Sequence, residues 1–116
     1  MSFELIENSL ENTIAPLVVI VDDEFTSRLI LEKVLRSVQK NITVKTFADP
    51  ITALAWIRDN QPDLIIVDYM MSGMTGLEAV QQLRRIYSLE GVPIVVVTSL
   101  EERDIKYQVL ESGATD

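Results

Sequence analysis

The 116-residue chain contains no cysteine and no histidine. Without cysteine there is no disulfide framework and no thiolate-held zinc, and such usage fits a reducing compartment. Without histidine, imidazole bases, imidazole nucleophiles and most transition-metal sites are excluded. Glycine and proline are scarce at four each, while 47% of residues are hydrophobic and 24% charged, which excludes collagen-like, low-complexity and disordered chains. Basic residues are in deficit, ten Lys and Arg against 18 Asp and Glu, for a net charge of -8. That field repels phosphate backbones, so nucleic acid is not expected as a partner of this segment. No apolar run approaches the ~20 residues of a membrane span. Met1 to Ala15 includes Glu4, Glu7 and Glu11 but no Lys or Arg, unlike a secretory signal. The expectation is a cytoplasmic protein with no membrane contact. Its chemistry must run on carboxylates, hydroxyls, Lys or Arg, with help from a cation that prefers oxygen.

What is present is an alternation. The chain has room for one domain, able to bury a core. Four apolar runs stand out: Leu17 to Val21, Ile42 to Phe47, Leu64 to Val67 and Ile94 to Val97. The first, third and fourth are continuous and rich in Val and Ile, as in parallel strands covered on both faces. The second alternates apolar with polar, as an edge strand does. Between them lie helical patterns. One runs from Phe25 to Gln39, with Leu29, Ile30, Val34, Leu35 and Val38 assigned to one face. Another starts at Pro50 behind Asp49, a good N-cap, and carries Leu54, Trp56 and Ile57. A third opens at Gly76, with Leu77, Val80, Leu83, Arg84 and Tyr87. The last spans Glu101 to Ser112 and stops at Gly113. Strand and helix alternate four times, which predicts a doubly wound α/β domain with a parallel sheet and right-handed crossovers. Residues 1–15 stand outside this pattern as an N-terminal arm, and 16–116 form the domain.

Asp22 and Asp23 follow the first apolar run directly, and Asp68 follows the third. Parallel strands deliver their C-terminal ends to one rim, where open α/β sheets bind ligands at the point of strand-order reversal. Carboxylates on neighbouring strands, ~5 Å apart, repel by roughly 3 kcal/mol at an effective dielectric of about 20. A cation relieves this, and with no His or Cys present Mg²⁺ is the natural candidate. A single acid after a strand is read equally well as a turn former or cap, and Asp23 or Glu24 could cap the helix at Phe25. Three converging acids weaken that alternative. Thr98 and Ser99 end the fourth run. Ser99 suits a cap for the helix at Glu101, while the Thr98 hydroxyl faces the rim, suited to donate to a phosphoryl oxygen.

The segments Val18-Val-Ile-Val-Asp-Asp-Glu24, Pro62-Asp-Leu-Ile-Ile-Val-Asp-Tyr-Met-Met71, Gly76-Leu-Glu78, Pro93-Ile-Val-Val-Val-Thr98 and Gly113-Ala-Thr-Asp116 are each weak alone. In this order and at these separations they resemble the receiver domain of two-component response regulators, from Pro16 to Asp116. The resemblance implies a flavodoxin-like receiver fold with four βα units present and the fifth missing. It implies that Asp68 is the phosphoacceptor, charged from a phosphohistidine on a sensor histidine kinase or phosphotransfer protein. It implies Mg²⁺ bound by Asp23 directly, by Asp22 through water, by Asp68 and by the Met70 carbonyl. Thr98 becomes the switch hydroxyl, and the change passes to an effector, C-terminal in the same polypeptide if the chain continues. The module catalyses only its own phosphorylation and dephosphorylation.

Some positions depart from the family's usual pattern. Ser72 stands where Pro is usual, Thr75 where Asp is usual, and Ser99 where a small Ala is usual. The fifth strand with its aromatic residue, the Lys-Pro pair and the fifth helix do not occur, and Lys106 and Tyr107, inside the expected last helix, are not assigned those roles. The reading favoured is a fragment of a longer polypeptide, with a naturally shortened receiver as the other possibility. An uncovered fourth strand is expected to drive homodimerisation or element swapping. Two other functions compete. A haloacid-dehalogenase type hydrolase needs an acid two residues after its nucleophile, where Met70 stands here. A degenerate receiver serving only as a protein-interaction or dimerisation module is disfavoured by Asp22, Asp23, Asp68 and Thr98, though the missing lysine leaves it open.

Overall fold

The structure is a computed structural model, and it describes residues 15–86, 89–98 and 111–115. The N-terminal arm up to residue 14, the expected last helix up to residue 110, and Tyr87, Ser99 and Asp116 lie outside the described residues. Among the described residues four strands form one sheet: β1 (Leu17–Val21), β2 (Thr43–Phe47), β3 (Leu64–Asp68) and β4 (Ile94–Val97). Their order is β2-β1-β3-β4, and every pairing is parallel. The alternating run is at the edge, as its pattern predicts. The continuous runs β1 and β3 are central and almost wholly buried. Three helices connect the strands: α1 (Phe25–Val38), α2 (Pro50–Asp59) and α3 (Gly76–Arg84).

Because side chains alternate along a strand, β1 divides between two layers. Val19 and Val21, with Ile65, Val67 and Ile94, pack against Ala53 and Ile57 of α2 and against Ala79, Val80 and Leu83 of α3. Val18 and Ile20, with Ile66, meet Leu31 and Leu35 of α1 on the opposite face. Helices on both faces of a parallel sheet make the fold doubly wound, in the flavodoxin-like manner. Among the described residues no helix is long and apolar enough to cross a membrane.

The apolar stripe expected on α1 is corrected. Leu35 does face the sheet, but its partner there is Leu31. Leu29, Ile30, Val34 and Val38 are exposed, Val38 to 82%. The two leucines are one helical turn apart and fill the contact. The row Ile30, Val34, Val38 lies about 100° around the axis, the rotation of a single residue, and misses the sheet. The other two helices start where their sequences place them. Asp49 accepts from the Ile51 N–H at 3.1 Å and from the Thr52 hydroxyl at 2.7 Å, with Pro50 in the first helical position. Thr75 accepts from the Glu78 N–H at 3.2 Å ahead of Gly76.

A second set of contacts ties the opposite rim together. The Arg84 guanidinium donates to the carbonyls of Gly113 (2.8 Å), Val92 (2.7 Å) and Leu89 (3.2 Å). Thr115 then bonds β4, its N–H donating to the Ile94 oxygen at 2.8 Å and its hydroxyl accepting from the Ile94 N–H at 3.1 Å. Gly113 adopts φ +114°, where L side chains are strained, and a Cβ there would stand 2.8 Å from Arg84 Cγ. That is why the glycine expected as a helix stop is needed at this place.

Candidate functional site

The site forms where the sheet changes direction. From β1 the chain passes outward to β2 and then returns across β1 to β3, so strand order reverses between β1 and β3. Val21 and Val67 are direct register partners. Asp22 and Asp68 are the next residues along these two strands and emerge side by side. One carboxylate oxygen from each of Asp22, Asp23 and Asp68 lies within 4.8 Å of the others. The three acids singled out in the sequence are therefore brought together on one rim.

Each acid is held differently. Asp22 is only 5% exposed, with its N–H donating to the Phe47 carbonyl at 3.0 Å and its Oδ1 accepting from the Glu24 N–H at 2.9 Å. Asp23 is exposed, and its Oδ2 accepts from both the Ser72 N–H (3.1 Å) and the Ser72 hydroxyl (3.2 Å). Neither Asp23 nor Glu24 caps α1, since Glu24 in the cap position makes no side-chain bond to the helix. Asp68 is half-buried at the end of β3, opposite Val97 in register. Loss of solvent and then the charge of Asp22 push the Asp68 carboxyl up from its ordinary value. Asp23 adds a lesser push, and the N–H groups of Met70 and Tyr69 act in the opposite sense.

The remaining expected residues stand around this group. The acids open into a cleft of about 430 Å³, lined also by Glu24, Ser27, Ile30, Leu31, Met70 and Val97. Met70 is in the cleft wall, with the residue 59% exposed. Thr98 is half-buried and directly follows Val97, the strand residue that lines the cleft. The loop from Tyr69 to Thr75 is fixed at both ends. The Tyr69 N–H donates to Val97 at 2.9 Å, and the Gly76 N–H donates to Tyr69 at 2.8 Å. Gly76 packs so closely that a Cβ would stand 2.7 Å from Tyr69 Cα and 2.9 Å from the Asp68 oxygen.

Two participants were not legible as such. Ser72 stands out in the sequence only as a departure from a usual proline, with no sign that it reaches back 49 positions to Asp23. Arg28 donates to the Asp22 backbone oxygen at 2.8 Å and lies 5.7 Å from the Phe25 ring centroid. A basic residue in the first turn after a strand-end acid was the available signal for it.

The donor set suits a hard divalent cation. It offers carboxylate oxygens with no thiol or imidazole, and such cations take oxygen and retain water. Among the described residues no Lys or Arg pairs with these acids, the ion pair being Arg36–Glu32 at 3.2 Å. Three like charges within 4.8 Å repel by about 3 kcal/mol per pair at an effective dielectric of about 20, less where solvent reaches Asp23. A cation would turn that repulsion into attraction.

Comparison with known proteins places this geometry. The response regulator receiver domain family model matches residues 18–116. The cyclic di-GMP phosphodiesterase response regulator RpfG of Xanthomonas campestris pv. campestris is 37% identical over 99 residues, covering 85% of this chain and 26% of RpfG. The response regulator PleD of Caulobacter vibrioides is 35% identical over 99 residues, covering 85% of this chain and 21% of PleD. Among solved structures, the Vibrio cholerae chemotaxis protein CheY4 superposes with a TM-score of 0.80 at 31% identity, over 87% of this chain and 82% of CheY4. The chain spans about a quarter of the length of the curated relatives it matches.

Proposed function

This chain belongs to the response regulator receiver domain family, and from that premise we propose that it takes a phosphoryl group from a histidine of a sensor kinase or phosphotransfer protein onto Asp68, with Mg²⁺. The chain is a phosphoacceptor signalling module of a two-component system. The observation that carries the proposal is the convergence of Asp22, Asp23 and Asp68 within 4.8 Å at the switch point of the sheet.

In the proposed step an Asp68 carboxylate oxygen forms a bond to phosphorus as the phosphorus–nitrogen bond of the donor breaks. The bonding pair returns to the imidazole nitrogen, which takes a proton, and Asp68 becomes an acyl phosphate. Asp68 attacks as the carboxylate, so its charged neighbours both assemble the site and oppose the ionisation it needs. Asp23, Asp68 and the Met70 carbonyl would hold Mg²⁺ directly, with Asp22 acting through water. When bound, the ion neutralises charge on the acids and the incoming phosphoryl oxygens. The Thr98 hydroxyl donates to a phosphoryl oxygen, and a shift of β4 with that bond carries the new charge to an effector. The effector is placed in the same polypeptide, a reading supported by relatives several times longer than the matched region. Residues 1–15 are assigned to an arm and 16–116 to the receiver. Cytoplasmic location belongs to the same proposal, because a phosphorylated donor must be charged from the cell's nucleotide supply.

The test is labelling with a small acyl phosphate and Mg²⁺, followed by intact mass. One phosphoryl group per chain is expected, lost in Asp68→Asn and on chelation. No labelling of the wild-type chain would leave only a protein-binding role.

A further inference from the structure

We propose that Ser72 is a positioning residue for cation binding, aiming the Asp23 carboxylate through two hydrogen bonds to one of its oxygens. This inference rests on the cation role proposed above for Asp23. The Ser72 N–H and hydroxyl both reach Oδ2, at 3.1 and 3.2 Å, which leaves Oδ1 as the oxygen to meet a cation. Asp23 needs such a guide more than its neighbours do. Asp68 belongs to β3, and Asp22 is buried, continues the β1–β2 ladder and accepts from Glu24. Asp23 is exposed, and among the described residues Ser72 supplies its side chain's hydrogen bonds.

The donors are set in place by the fold. Ser72 sits in a loop whose ends are held by Tyr69 against Val97 and by Gly76 against Tyr69, and Gly73 turns the chain at φ +83°. A carboxylate already restrained loses less rotamer freedom when it binds an ion. Two donors on Oδ2 also draw off part of the charge that crowds Asp22 and Asp68. Both effects favour one arrangement, in which Oδ2 belongs to Ser72 and Oδ1 to the ion. A proline at this position would supply neither donor.

Mg²⁺ binding to the unphosphorylated full chain, measured by titration calorimetry, tests the idea with Ser72→Ala, Ser72→Thr and Asp23→Asn. Ser72→Ala should bind roughly tenfold more weakly, the low end of what loss of an outer hydrogen-bond partner costs a metal site. Ser72→Thr keeps both donors and should stay close to wild type. The metal-free melting temperature of Ser72→Ala should fall by no more than a few degrees, the cost of one exposed hydrogen bond, and a larger fall would mark a general structural role instead. Equal or tighter binding by Ser72→Ala, with Asp23→Asn still impaired, overturns the inference and leaves the cation site standing. Absence of saturable binding by the wild-type chain removes the cation reading and the role of Ser72 with it.

Discussion

Asp68 has a cost as well as a use. Burial and the charge of Asp22 raise its carboxyl from the ordinary value of 3.8, so the native chain holds this proton more tightly than the unfolded chain does. The resulting penalty is absent below the unfolded value, grows as pH rises through the interval up to the folded one, and is complete above it. In metal-free buffer Asp68→Asn should therefore melt at a higher temperature than wild type at neutral pH, with the gap closing by about pH 3. Excess Mg²⁺ should reverse the order, because it stabilises only a chain that binds it. Gly76 acts by having no side chain. A Cβ there meets the backbone of Tyr69 and Asp68 at under 3 Å, so Gly76→Ala should lose ~1–3 kcal/mol in urea unfolding and slow phosphorylation by displacing Asp68. The strand-end acids were legible because the C-terminal ends of parallel strands share a rim. The tie between Ser72 and Asp23 was not, because a contact across 49 residues leaves no local pattern.

At the scale of elements, short-range chemistry sets the helix starts. Thr75→Ala removes the acceptor for the Glu78 N–H and should cost about 1 kcal/mol, read from the denaturation midpoint. The Asp49 cap was visible beside its helix, since a cap is satisfied within three residues, whereas Thr75 stood out only as a departure from a usual Asp and not as a cap. The buried face of α1 was less visible. Its sequence carries two apolar rows, and periodicity alone does not say which row meets the sheet. Leu31 and Leu35 do, while Ile30, Val34 and Val38 stay exposed. Val34→Gln should consequently change stability by no more than about 0.5 kcal/mol, while Leu35→Ala should cost more.

Across the whole molecule, the two rims of the sheet serve different ends. The C-terminal rim gathers negative charge at Asp22, Asp23 and Asp68, and the opposite rim is laced by Arg84, whose fork joins α3 to the segments around Leu89, Val92 and Gly113. Arg84→Met removes the donor to the Val92 and Gly113 carbonyls, while Leu89 keeps the Val92 N–H, and should destabilise by about 1.5–3 kcal/mol in urea unfolding. Cation binding should be little affected, since the clamp is remote from the acids. The order of residues by itself determined the strand–helix alternation, the edge character of β2, the Asp49 helix cap and the rim on which the acids emerge. All of these follow from periodicity, propensity and caps that act over a few residues. Only the tertiary structure decided that β1 lies beside β3, which row of α1 is buried, that Ser72 answers Asp23, and that Arg84 closes the far rim. Those contacts join positions distant along the chain, and packing selects them among side chains that local pattern leaves equivalent.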